Sequence, residues 1–128
     1  MNKRILIIDD RSEVLDIVQE VLMYEGFEVD TAPNAKDVLD LITRRRPDLI
    51  LIDYSLGDPD GGAVCALIKN SVSSARLPVI IFSAYSDKGL KPGSFGCEDF
   101  ISKPFNIDEL INKVKLHSRS STLFTKNG

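Results

Sequence analysis

The sequence of 128 residues has few of the residues that hold small proteins together through covalent bonds or metal ions. It contains two cysteines, Cys65 and Cys97, a single histidine and no tryptophan. The cysteines lack CxxC spacing and have no companion histidines, so a zinc cage or a redox pair is not expected. We interpret both as free, partly buried thiols.

Proline and glycine are not enriched, with six and eight residues. This composition excludes a collagen-like or low-complexity chain, and 43% hydrophobic with 27% charged residues is typical of a globular protein. A chain of this length buries about two thirds of its unfolded surface. One ordinary domain is therefore expected, without covalent cross-links.

Neither a basic excess nor a long apolar run is present. The net charge of −3 argues against direct nucleic acid binding, because no surplus of cations exists to neutralise phosphates. Near the N-terminus only four apolar residues, Ile5 to Ile8, precede Asp9, too few for a secretory signal or a membrane span. We expect a cytoplasmic protein that does not bind membranes.

Short apolar runs alternate with segments of helical periodicity. Apolar runs at 5–8, 49–52 and 78–82 and segments of strand composition at 27–32 and 100–102 predict five strands. Helices are predicted between and after them, one capped by Asn34 and the last by Asn106, with Ile107 facing inward. The alternation predicts a doubly wound α/β fold with a five-stranded parallel sheet.

The periodicity ends near His117, the single histidine, and the following residues are rich in serine and threonine. This change predicts a domain over residues 1–118 and a tail or linker over 119–128. His117 is expected to be a surface residue that lies away from every carboxylate.

Polar side chains follow four of the predicted strands. Asp9 and Asp10 end the first, Asp53 the third, Ser83 the fourth and Lys103 the fifth. In such sheets ligands bind beyond the carboxyl ends of the strands, so one pocket could hold all five. Converging carboxylates require a proton or a cation, and an all-oxygen set favours Mg²⁺. A carboxylate, a cation and a hydroxyl donor suit phosphoryl transfer, although the first two aspartates could instead only cap the first helix.

The order of these motifs resembles the response regulator receiver family. The resemblance rests on Asp9-Asp10, Asp53, Ser83-Ala84 and Lys103-Pro104-Phe105, and it extends from about residue 3 to 117. It implies a flavodoxin-like strand order of 2-1-3-4-5 and a phosphoacceptor function in a two-component or phosphorelay system. Implied partners are a histidine kinase or histidine phosphotransfer protein, and a downstream protein or fused output domain.

The resemblance also implies a role for each matching residue. Asp53 would accept the phosphoryl group, and Mg²⁺ would be bound by Asp9, Asp10, Asp53 and the carbonyl of Ser55. Lys103 and Ser83 would bond the phosphoryl group, Ala84 would leave room for it, and Phe100 would be the switch aromatic. Pro104 would follow a cis peptide bond.

Three functions remain open at this point. The first is a phosphorylatable receiver, which is not an enzyme except in its own phosphorylation and autodephosphorylation. The second is a degenerate receiver that acts as a scaffold, which would be expected to lack one of the charged residues. The third is an aspartyl-phosphate phosphatase, which would want a second aspartate where Ser55 stands.

The segment between the predicted fourth and fifth strands contains little that favours a helix. Residues 86–96 include three glycines and a proline, each unfavourable inside a helix. We therefore expect a helix at this position to be short, unwound or missing.

Overall fold

A computed structural model of the protein describes residues 2–84 and 93–127, with side chains up to residue 119. The five predicted strands form one sheet in the order β2-β1-β3-β4-β5, and all four neighbouring pairs are parallel. The strands are β1 (Arg4–Ile8), β2 (Glu28–Ala32), β3 (Leu49–Asp53), β4 (Val79–Ala84) and β5 (Asp99–Lys103). The predicted fold class and strand order are confirmed.

Four α-helices accompany these strands in the part of the chain that the structure describes: α1 (Ser12–Tyr24), α2 (Val38–Arg45), α3 (Gly61–Lys69) and α4 (Ile107–Asn127). The predicted cap of α4 is present, since the side chain of Asn106 accepts the backbone N–H of Glu109 at 3.0 Å. The predicted start of α2 is wrong. Asn34 accepts the N–H of Lys36 in a local turn, and the helix begins four residues later.

The helices cover both faces of the sheet because the strands are apolar on both sides. Alternate strand residues such as Ile7 and Leu51 pack with α1 and α4, whereas their neighbours Ile8 and Ile52 pack with α2 and α3. The residues of β3 are all buried, and this strand lies in the middle of the sheet. Ile107 does not face inward as predicted. Its side chain is 47% exposed in the first turn of α4.

The connection from β4 to β5 is described only from residue 93 onward, where Ser94–Gly96 form a single 3₁₀ turn. The expected shortening of a helix within residues 86–96 therefore falls largely outside the described residues and stays a prediction there. Helix α4 continues to Asn127, so the expected tail has a helical backbone. A domain boundary at residue 118 also stays a prediction. Among the described helices, none is long and apolar enough to cross a membrane.

The expectation for His117 is wrong, because it contacts a carboxylate. Its Nε2 lies 3.0 Å from Asp99 of β5, and Lys113 of α4 reaches the other oxygen of Asp99 at 3.1 Å. Lys113 also donates to the carbonyl of Phe100 at 2.8 Å. Although burial alone would raise the pKa of Asp99, these hydrogen bonds hold that pKa below its ordinary value. These contacts connect α4 to β5.

We predict that Asp99→Asn lowers the free energy of unfolding by about 1.5–3 kcal/mol near neutral pH, because hydrogen bonds to a charged group are lost. A carboxylate with a depressed folded pKa stabilises the fold above its unfolded pKa. The difference from the wild type should therefore shrink as the pH falls below the ordinary value of 3.8. Urea unfolding across this pH range measures it.

The matched control is Asp16→Asn, which removes an exposed carboxylate from α1. It should change the stability little at any pH. This interpretation would be contradicted if both variants lost the same unfolding free energy, or if the loss in Asp99→Asn were unchanged at acidic pH.

Candidate functional site

The carboxyl ends of β1, β3, β4 and β5 meet at one edge of the sheet and carry the predicted polar residues. The register pairs Ala84 with Lys103 and Ser83 with Ser102, so these strands end at the same level. A cleft of about 820 Å³ opens there. Its described lining includes Asp10, Asp53, Ser55, Ala84, Lys103 and Pro104.

Three carboxylates and one ammonium group form the centre of the site. One oxygen from each of Asp9, Asp10 and Asp53 lies within 4.8 Å of the others. Lys103 Nζ is 2.9 Å from Asp53 Oδ1 and 3.5 Å from Asp9 Oδ2. Asp9 and Asp53 are almost fully buried, whereas Asp10 is exposed. Three negative groups face one close ammonium group, with the Arg11 guanidinium 3.9 Å from Asp9, and this leaves a net negative charge beside the cleft.

Asp9 is held by the backbone as well as by Lys103. Its Oδ1 accepts the N–H of Arg11 at 2.9 Å, and the Arg11 side chain lies 3.9 Å from the same oxygen. Burial raises the pKa of Asp9, and the charge of Asp53 adds to this, whereas the Arg11 N–H and Lys103 oppose it. The N-cap residue of α1 is Arg11, whose own side chain makes no capping hydrogen bond. Asp9 thus contacts both the start of α1 and Lys103, and the alternative that the two aspartates only cap this helix is not tested by these contacts.

Lys103 is oriented by aromatic packing below it. Its Nζ lies 5.7 Å from the centroid of the buried Phe82 ring, and that ring stacks on Phe105 at 5.4 Å. The peptide bond between Lys103 and Pro104 is cis. With 13% of its side chain exposed, the lysine is held against the two buried carboxylates.

The other predicted residues differ in how close they lie to the cleft. Ser83 is buried at the end of β4, and its hydroxyl donates to the carbonyl of Ala84 at 3.3 Å. Phe100 is half-buried and packs on the α2 and α3 side of the sheet. It is not among the described residues that line the cleft.

Sequence reasoning assigned no role to the glycines that follow Asp60. The side chain of Asp60 caps α3 by accepting the N–H of Ala63 at 2.8 Å. Gly61 donates its N–H to the carbonyl of Tyr54 at 2.8 Å, and a Cβ at this position would overlap the carbonyl oxygen of Asp53. Glycine is thus the residue that lets α3 begin directly against the strand that carries Asp53. The Asp60-Gly61 pair was visible in the sequence, but this close approach was not.

Comparisons with known proteins agree on one family. The model of the response regulator receiver domain matches residues 5–115. A putative response regulator from Chloroflexus aurantiacus J-10-fl is similar at 28% identity with a TM-score of 0.86, over 93% of this chain and 99% of that one. The receiver domain of NtrX from Brucella abortus is 33% identical with a TM-score of 0.81, over 90% and 98%. A longer NtrX chain, in complex with ADP, is 32% identical with a TM-score of 0.85, and the match covers 98% of this chain but 28% of that one.

The charge excess predicts opposite effects for two substitutions at the site. Asp53→Asn removes two repulsions and one attraction, so we expect the free energy of unfolding to rise by about 1 kcal/mol when divalent cations are absent. Lys103→Met should lower it by about 3 kcal/mol, because two buried carboxylates lose their partner. Chemical denaturation in the presence of a chelator measures both changes.

Lys36→Met serves as a control because Lys36 is exposed on the surface, and its effect should be small. If Asp53→Asn destabilised the protein as much as Lys103→Met, attraction rather than repulsion would dominate the site.

Proposed function

The chain belongs to the response regulator receiver domain family, whose members are phosphoacceptors in two-component signalling, and from this premise we propose that Asp53 accepts the phosphoryl group. The observation that carries the proposal is the buried Asp53 carboxylate at the end of the central strand, paired with Lys103 at 2.9 Å. The cleft beside Asp53 gives a phosphodonor access to it. Asp9 and Asp10 lie within 4.8 Å as further oxygen donors.

The chemistry at Asp53 is a nucleophilic displacement at phosphorus. Lys103 engages Oδ1, so Oδ2 is the oxygen that we expect to attack. A new P–O bond forms while the P–N bond of a donor phosphohistidine breaks, and the electron pair of that bond returns to the imidazole nitrogen. Lys103 then neutralises part of the charge on the acquired phosphoryl group.

The donor set of the site fits Mg²⁺. The three carboxylates offer only oxygen ligands, and they outnumber the neighbouring cations Lys103 and Arg11, which favours the binding of a hard cation. Ser55 also lines the cleft, and its carbonyl oxygen is proposed as a further ligand. When bound, Mg²⁺ would neutralise charge on the phosphoryl oxygens.

Two further roles belong to the same proposal. Ser83, at the end of the strand between Asp53 and Lys103, would donate its hydroxyl to a phosphoryl oxygen. Phe100 would repack when that hydroxyl moves, and its half-buried position leaves scope for this. Hydrolysis of the acyl phosphate by water would reset the domain. A phosphatase is disfavoured because Ser55, at the position of a second acid, has no carboxyl group.

We predict that incubation with Mg²⁺ and a small acyl phosphate adds the mass of one phosphoryl group to the intact protein. Asp53→Asn should remove the gain, since an amide oxygen is a poor nucleophile, and Asp10→Asn should slow it by losing a metal ligand. A chelator should have the same effect as Asp53→Asn. Intact mass spectrometry measures the change.

Asp60→Asn is not a suitable control because Asp60 caps α3, whereas Asp16→Asn changes an exposed carboxylate on α1. Asp16→Asn should keep the full mass gain. Undiminished phosphorylation of Asp53→Asn would overturn the assignment, and no gain in the wild type would favour a scaffold that is not phosphorylated.

The proposed partners are a histidine kinase or histidine phosphotransfer protein, and a downstream target or fused output domain. An apolar surface continues from the Asp53 cleft into a groove of about 460 Å³ between α1 and α4. Ile17 and Ile107, both about half exposed, line the cleft and the groove alike. Tyr24, which is 89% exposed, lies in the groove. A donor that delivers its phosphohistidine to Asp53 would contact this continuous surface.

We predict that Tyr24→Ala slows phosphoryl transfer from a phosphorylated histidine phosphotransfer domain by about tenfold, because exposed aromatic residues often anchor interfaces. Labelling by the small acyl phosphate should not change. Val72→Ala is the matched control, since Val72 is fully exposed in the chain segment after α3. Equal rates for all three proteins, measured by rapid quench, would exclude this groove from docking.

A further inference from the structure

Phe95 has an unusual backbone conformation in the turn before β5. It is left-handed, with φ 57° and ψ 11°, a region in which side chains other than glycine are uncommon. Its ring lies against Gly62, where an added Cβ would come within 2.7 Å of ring atoms. The ring centroid is 6.1 Å from that of Tyr54. We call this set of interactions the Phe95 contact.

The Phe95 contact lies beside the backbone that follows Asp53, the proposed phosphoacceptor. Tyr54 follows Asp53 in the chain, and its N–H donates to the carbonyl of Phe82 at 2.8 Å. Gly62 follows Gly61, which bonds to Tyr54 and lies against the carbonyl of Asp53. The ring therefore lies next to Tyr54 and Gly62, which stand on either side of the loop over residues 55–60. This loop begins with Ser55, which lines the cleft.

The turn that carries Phe95 is anchored on its other side. Cys97 donates its N–H to Ser94 at 3.0 Å and accepts that of Gly93 at 3.1 Å, and the thiol of Cys65 in α3 donates to the Phe95 carbonyl at 3.5 Å. Glu98 accepts the N–H of Val79 at 2.8 Å and pairs with Lys69 at 2.7 Å. The turn is thus tied to α3 and to the start of β4. A displacement of the loop over residues 55–60 can therefore move this turn, because the Phe95 ring connects the two.

From these contacts we propose that Phe95 is a positioning residue that couples the Asp53 site to the turn before β5. A left-handed phenylalanine is maintained only where surrounding contacts compensate for its strain, so loss of the ring contacts would favour an undocked conformation. The docked ring pre-organises the 55–60 loop for ligands of the site. By linkage, a ligand at the site must stabilise the docked ring to the same extent. The inference rests on the proposed function, because it concerns regulation of the same site.

Two variants remove the contact from opposite sides. Phe95→Gly removes the ring and tolerates the left-handed backbone, whereas Gly62→Ala keeps the ring and fills the space that it occupies. Both should speed amide exchange over residues 54–63 in the absence of Mg²⁺. Both should also weaken Mg²⁺ binding by about fivefold. The double variant should show the same faster exchange and the same loss of Mg²⁺ affinity as either single variant, because all three variants lack the same contact.

Hydrogen exchange by mass spectrometry and calorimetric titration with Mg²⁺ measure these effects. In the wild type Mg²⁺ should slow exchange over residues 93–97, and in either variant this slowing should disappear. Met23→Ala, which alters an exposed apolar residue of α1, should leave both measurements unchanged. Phe95→Tyr should retain wild-type behaviour because the ring is kept.

The outcomes separate this inference from the proposed function. Unchanged exchange over residues 54–63 in Phe95→Gly and Gly62→Ala overturns the coupling, even if Asp53 is phosphorylated normally. Additive effects in the double variant, or lower global stability with unaltered Mg²⁺ affinity, also overturn it, because Phe95 would then be only structural. Failure of the wild type to gain a phosphoryl group refutes the proposed function instead.

Discussion

The ion pair between Lys103 and the carboxylates of Asp53 and Asp9 depends on almost every feature of the fold. Its members come from the ends of β5, β3 and β1, which lie in one sheet only because the crossovers bring the strands parallel in the order 2-1-3-4-5. A slip of one residue in any of these strands would turn its polar end away from the others. The charges, in turn, are tolerable in a buried setting because each has a partner.

The apolar strands explain why the polar groups collect at this edge. Each inner strand is buried on both faces, so a carboxylate or an ammonium group within it would lose its hydration without compensation. At the strand ends, water and neighbouring backbone N–H groups are within reach, as the bond from Arg11 to Asp9 illustrates. Burial on both faces restricts the inner residues of β3 to leucine and isoleucine. Asp53, the last residue of the strand, is therefore its only reactive side chain.

Much of this arrangement could be predicted because it is encoded locally. Apolar runs such as Ile5 to Ile8 identify strands by their composition, and the residue that follows each run must lie at the functional edge. Contacts between distant segments are not encoded in this way. The approach of His117 to Asp99 depends on how α4 packs across β5, and the left-handed Phe95 depends on space left by Gly62 in another helix. Ile107 has the periodicity of a buried residue, but it is the first residue of α4 and lines the open cleft, where it stays 47% exposed.

The surroundings of Asp53 differ between the two faces of the sheet. On the side of α1 and α4, half-exposed apolar residues such as Ile17 lead from solvent to Asp53, which suits the approach of a donor. On the side of α3, Gly61 and Gly62 bring the helix and the Phe95 ring against the backbone that carries the same aspartate. Because β3 is central, its residues pack against helices on both faces of the sheet. In the proposed function, delivery of the phosphoryl group and the response to it can therefore use opposite faces without competing for one surface.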